Sequence, residues 1–191
     1  MKTVYNFHNA FKRSQLEISS DVLPYRLLRE YLVPYYKEKL PENVTFIVAS
    51  GKKNYDIIRH FECGEYFFSQ KFIDVLSQFI DMSDKCYPIE VEGTEEKYYV
   101  IYNLNHYPFL NENRASFDEE PSFYCGKVIT TPLFGITNTR CFVVTEELKD
   151  ALVKNKISNI EFEESFLCTK QEYKDWRKSR GKSGTVLNDP L

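Results

Sequence analysis

Three histidines, His8, His60 and His106, are the groups with which this chain could do acid–base chemistry near neutral pH. None stands at the spacing of a metal-binding pair such as H-E-x-x-H. His106 follows a strand-like run and precedes an acidic stretch, which makes it the best-placed general base. A sheet-edge histidine is the simpler reading. A nucleophilic cysteine needs a partner base and a field that favours the thiolate. Cys125, in FYCGK, is the best candidate, but one neighbouring lysine on a strand supplies neither. The segment ASGKKN, residues 49–54, follows an apolar strand and invites comparison with a phosphate loop. It lacks the earlier glycine of a P-loop and the Ser/Thr after lysine, so it reads as a turn. Carboxylates occur in groups at Glu90/Glu92, Glu95/Glu96 and Glu161/Glu163/Glu164. Alternate residues of a strand share one face, and the solvated face is the ordinary home of such pairs.

The stretch HYPFLNENRASFDEEP differs, because it embeds aromatic residues in a long polar loop bounded by prolines. Loops held by a rigid sheet often carry recognition. Tyr107, Phe109, Glu112, Phe117, Asp118, Glu119 and Glu120 are therefore the expected partner-binding residues. No residue set points to a catalytic centre, a metal or another cofactor.

The elements that must position these residues belong to a globular chain of 191 residues, 42% hydrophobic and 28% charged. Aromatics are abundant, with 15 Phe and 14 Tyr, and suit half-buried sheet positions or a recognition surface. The net charge of −3 is uneven: Lys170–Leu191 carries +3, which leaves −6 on residues 1–169. An acidic body disfavours nucleic acid and suits a basic protein partner. Five cysteines, far apart and odd in number, suggest neither a zinc knuckle nor a disulfide framework. No apolar run has the length of a signal peptide or a membrane span, so a cytoplasmic location without membrane contact is expected.

The periodicity predicts a strand at Thr3–Phe7 and a helix from Asp21, with Pro24 in its first turn and Pro34 at its end. VTFIVA, residues 44–49, reads as a buried strand. GEYFFSQKFIDVLSQFI gives a strand, a Ser69 cap and a helix burying Phe72, Val75, Leu76, Phe79 and Ile80. YPIEVEG and the long run EKYYVIYNLN form two strands with a turn at Gly93–Thr94. A strand over Tyr124–Thr131 follows. RCFVVTEELKDAL then repeats the earlier theme, with Thr145 as cap and Leu148, Leu152 and Val153 as the buried stripe. Ile160, Phe162 and Phe166 are burial candidates in the last strand, and Trp176 is expected to pack a basic C-terminal helix onto the body. The expected class is α+β: a mixed, mainly antiparallel sheet carrying helices, with the strand–cap–helix unit used twice. Residues 1–61 are expected to form an N-terminal helical and strand segment packed on the body, 62–169 the core, and 170–191 a basic tail that frays beyond Lys178, all within one globular domain.

The order of these segments resembles a known family. FFSQKFIDVLSQF, the P-I-E-V strand, YYVIYNLN and FVVTEELKDALVKNKISNIEFEE occur in the sequence of elements found in bacterial immunity proteins of polymorphic and contact-dependent toxin systems, of the Myxococcus immunity-domain type. The resemblance covers roughly residues 62–166, and the loop after YYVIYNLN departs from it by lacking an acid directly after Asn105. It implies no enzymatic activity and no cofactor, but inhibition of a cognate toxin by protein–protein contact. The acidic body would suit a basic nuclease toxin. A small enzyme using His106 and Cys125, or an adaptor subunit, is the alternative expectation.

Overall fold

The structure, a computed structural model, describes residues 1–62, 64–110 and 121–180. The chain is mixed α/β, and its strands form two sheets rather than the single sheet expected. Each sheet curls into a nearly closed barrel.

The first sheet has the order β6-β8-β5-β4-β2-β3-β7, using β2 (Glu17–Ser19), β3 (Phe46–Ser50), β4 (Ile57–His60), β5 (Tyr66–Ser69), β6 (Cys86–Ile89), β7 (Val91–Glu92) and β8 (Tyr98–Ile101). Its two edge strands, β6 and β7, are joined through Glu90, whose carbonyl accepts the Phe46 N–H at 3.1 Å. Inside it lie Ile18, Phe46, Ile58, Phe67, Tyr98 and Val100, and Leu28 and Leu32 pack into the same cluster. The helix that brings Leu28, α1 (Tyr25–Tyr31), begins after Pro24 rather than at Asp21. Fixed φ and the missing N–H put Pro24 at the helix boundary. β3 is half-buried, not fully buried as its apolar run predicted. Phe46 faces the barrel and Ile47 faces solvent, because a barrel strand has one inner face only.

The second sheet has the order β10-β13-β1-β12-β11-β9, using β1 (Lys2–Asn9), β9 (His106–Tyr107), β10 (Ser122–Cys125), β11 (Leu133–Ile136), β12 (Phe142–Thr145) and β13 (Ile160–Cys168). An antiparallel bridge between Phe109 and Tyr124 brings its edges together. The Leu110 N–H donates to the Phe123 carbonyl at 2.8 Å, and the Cys125 N–H to the Pro108 carbonyl at 2.7 Å. Val4, Tyr124, Phe134, Ile136, Val143 and Leu167 fill the interior.

The two halves repeat one topology. Strands β4-β5-β8-β6 are neighbours in the first sheet and β11-β12-β1-β13 in the second, every pair antiparallel. β5 leads into α2 (Gln70–Leu76) and β12 into α3 (Glu146–Lys154). The place that β8 takes in one half is taken in the other by β1, from the start of the chain. The match of FFSQKFIDVL to VVTEELKDAL therefore holds in three dimensions. Phe67 and Val143 point into their own barrels, whereas Phe68, Phe72 and Leu76 share a core with Val144, Leu148 and Leu152. That common core, joined by Phe7 and Phe142, lies between the barrels and beneath both helices. Val153, expected in the buried stripe, is 56% exposed, because α3 touches the core along one narrow face.

Ser69 caps α2 as expected, its Oγ accepting the Phe72 N–H at 3.2 Å. Thr145 occupies the same position but makes no side-chain cap bond, and Glu146 and Glu147 provide the negative charge of that first turn. Ser69→Ala should cost about 1–2 kcal/mol, and Thr145→Ala no more than about 0.5 kcal/mol. Urea unfolding of the two variants checks the order, and equal losses would contradict it.

Other strands end earlier than their apolar runs suggested. EKYYVIYNLN forms only β8, because from Asn103 onward the chain is bound elsewhere: the Asn103 N–H donates to the Tyr36 carbonyl and the Leu104 N–H to the Pro34 carbonyl. The expected strand over residues 124–131 is confined to β10, and the Gly126 N–H makes the last bond of its ladder, to the Cys168 carbonyl. The tail residues 170–179 form α4 (Lys170–Ser179), which opens with a capping box between Thr169 and Glu172. Trp176 packs on Phe123 with ring centroids 4.6 Å apart, as expected. The expected fraying of the tail falls largely on residues 181–191, outside the described residues.

Candidate functional site

β13 is longer than its parallel neighbour β10, so part of it has no partner on that side among the described residues. Ser122 of β10 is level with Ser165, and the register runs from there to Cys125 and Cys168. Residues 160–164 of β13 pair with β1 on one side only, among the described residues. An unpaired strand offers backbone N–H and C=O groups to another chain, and charged side chains regulate what can join it. Here Glu161, Glu163 and Glu164 are all exposed. Glu161, its side chain 62% exposed, approaches His8 Nε2 at 3.3 Å. The edge is strongly acidic.

The foundation of this edge is rigid. Asn6 and Ser165 sit one step deeper in the same two strands, where Asn6 Nδ2 donates to Ser165 Oγ at 3.1 Å. The Tyr124 hydroxyl donates to Asn6 Oδ1 at 2.6 Å, so three buried polar side chains satisfy one another inside the second barrel. Burial pushes the Tyr124 phenol well above its ordinary pKa, and it stays a neutral donor. On the other face of β1, Tyr5 carries the Lys149 ammonium 4.1 Å over its ring.

The aromatic residues expected to bind a partner divide into two groups. Tyr107 is half-buried on β9, edge-on to Phe134 at 5.0 Å, and its hydroxyl donates to the Val128 carbonyl at 2.9 Å. Phe109 packs against Tyr124 at 5.1 Å and sits in the bridge that closes the barrel. Both rings serve barrel closure. Glu112, Phe117, Asp118, Glu119 and Glu120 lie outside the described residues. On either side of them, Leu110 is buried and Pro121 directly precedes the Ser122–Ser165 pair.

The residues weighed for catalysis do not meet in one cluster. His106 stacks on Tyr35, ring centroids 4.7 Å apart. Cys125 packs among Phe123, Phe166, Cys168 and Trp176, beneath α4. His60 is buried beside Phe46, where burial lowers its pKa and its Nδ1 accepts the Glu62 N–H at 3.2 Å. No group of three or more His, Cys, Asp or Glu side chains has metal-binding geometry among the described residues. Gly51 of ASGKKN has a φ of +75°, and a Cβ there would fall 1.7 Å from the Gln15 carbonyl oxygen. The Lys52 and Lys53 N–H groups both donate to the Ser14 carbonyl, so this loop is a tight turn joining two chain segments.

The edge was hidden in the sequence, where Glu161, Glu163 and Glu164 read only as a solvated face. Nothing local in the sequence says that the neighbouring strand starts level with Ser165. The chain matches no protein-family model and no curated protein.

Proposed function

We propose that this chain is an immunity protein, which binds a cognate bacterial toxin and neutralises it by protein–protein contact. The observation that carries the reading is the stretch 160–164 of β13, which is unpaired on its β10 side among the described residues and carries the exposed Glu161, Glu163 and Glu164. Such an edge can pair a strand of a partner and attract a basic surface at the same time. The resemblance in segment order, from FFSQKF to NIEFEE, supports the same reading and names the class of partner. The inhibitory surface would then combine β13 with Glu112, Phe117, Asp118, Glu119 and Glu120. A toxin that handles nucleic acid has the basic surface that this charge complements.

Co-expression of the chain with the toxin encoded beside it tests the proposal. Cells should survive with the wild-type chain. The triple variant E161K/E163K/E164K should associate more slowly by roughly tenfold or more at low salt, and protect poorly. These side chains are exposed, so thermal unfolding of the variant should stay close to wild type. Death of cells carrying the wild-type chain, with no complex recovered, would refute the proposal.

A further inference from the structure

Two cysteines set apart by 43 positions in sequence, Cys125 and Cys168, are Cα partners in the parallel pair β10–β13. Directly opposed residues on neighbouring strands project to the same face, about 5 Å apart, which is within the span a disulfide bridges. Tyr124 and Leu167, the preceding pair, point into the barrel. Cys125 and Cys168 therefore point outward, into the cluster of Phe123, Tyr173 and Trp176 under α4. Both are thiols in this structure. Cys168 is buried, and Cys125 is the half-exposed member.

We propose that Cys125 and Cys168 form an oxidation site, at which a peroxide converts the facing thiols to a disulfide across the β10–β13 pair. The half-exposed Cys125 reacts first. Its thiolate attacks one peroxide oxygen, the S–O bond forms, the O–O bond breaks, and the departing hydroxide takes a proton to become water. Cys168 then attacks the Cys125 sulfur: the S–S bond forms, the S–O bond breaks, and hydroxide leaves with the Cys168 proton as a second water. Two electrons pass from the thiols to the peroxide, and a dithiol reductant reverses the change. Burial raises the Cys168 thiol to about 11, which keeps it protonated and leaves the first attack to Cys125. The bond would clamp β10 to β13 directly before Thr169, the cap of α4.

The test is to treat the folded, reduced, full-length chain with hydrogen peroxide, block remaining thiols by alkylation and map the peptides by mass. The expected product has lost two hydrogens and contains a Cys125–Cys168 cross-linked peptide as its main intramolecular bond, which a dithiol removes. Cys168→Ser should leave Cys125 as a sulfenic acid trapped by dimedone, with no cross-link. Overoxidation of Cys125 beside an alkylated, unreacted Cys168 in the wild-type chain would overturn the proposal. A dominant bond to any other cysteine would overturn it equally.

Discussion

Asp56→Ala should destabilise the chain by about 3–5 kcal/mol, since it removes a buried carboxylate and the three hydrogen bonds that it accepts. Asp56 is 9% exposed and lies directly before β4. Its Oδ2 accepts from the Ser158 N–H and the Ser158 hydroxyl, both at 2.7 Å, and its Oδ1 from the Ser69 hydroxyl at 2.7 Å. Lys71 Nζ approaches Oδ2 at 3.5 Å. Ser69 caps α2 in the first half, and Ser158 lies between α3 and β13 in the second, so one carboxylate ties the two repeated units together. Burial alone would raise its pKa, but the hydrogen bonds from Ser158 and Ser69 and the Lys71 charge outweigh this and hold it below the ordinary carboxylate value.

The pH dependence follows from that direction. A depressed pKa in the folded state means that the stabilisation is fully present above the unfolded value of about 3.9. It disappears as pH falls through the lower folded-state value. Urea midpoints measured from pH 7 down to pH 3 should therefore converge for wild type and Asp56→Asn at the acid end. A constant gap across that range would show that the carboxylate charge is not what Asp56 contributes.

Phe72→Ala should cost a similar amount, about 3–5 kcal/mol, through lost apolar burial and the cavity left behind. Phe72 is fully buried in α2, 4.7 Å from the Phe68 ring and 5.8 Å from the Phe7 ring. Phe68 belongs to the first barrel and Phe7 to the second, so the cavity would open where the halves meet. Against a total of about 5–15 kcal/mol for a folded chain, either loss approaches unfolding. Phe72→Leu, which keeps most of the volume, should cost less than about 1.5 kcal/mol. Chemical unfolding checks both. Trp176, the chain's one tryptophan, rests on the second barrel, and its fluorescence should follow the same transition as far-UV circular dichroism in the wild type.

The parts of this architecture that could be read in the sequence are those governed by local rules. Ser69 before a helical stripe is an N-cap wherever the stripe is buried, and the order Phe67–Phe68–Ser69 against Val143–Val144–Thr145 carries the repeat. Trp176 among lysines and arginines marked a helix with one apolar face. The division into two barrels was not legible, because it depends on β1 entering the second half from the start of the chain. Val4, Tyr5 and Phe7 look like any short strand; their pairing with both β12 and β13 is a long-range fact. The same limit applies to the candidate site. Glu161, Glu163 and Glu164 read as a solvated strand face, and only the register of β10 shows that their stretch is unpaired on that side among the described residues. Tyr107 and Phe109 mark the opposite case, for a loop-like sequence with prolines conceals two rings that close a barrel.

The most direct test of the proposed function is titration with this chain of a purified toxin, should one be encoded beside it, while the toxin's activity is followed. The proposed function predicts stoichiometric loss of activity in a complex that weakens as salt is raised, and weakens further with E161K/E163K/E164K. Full toxin activity at micromolar excess of the folded chain would contradict it.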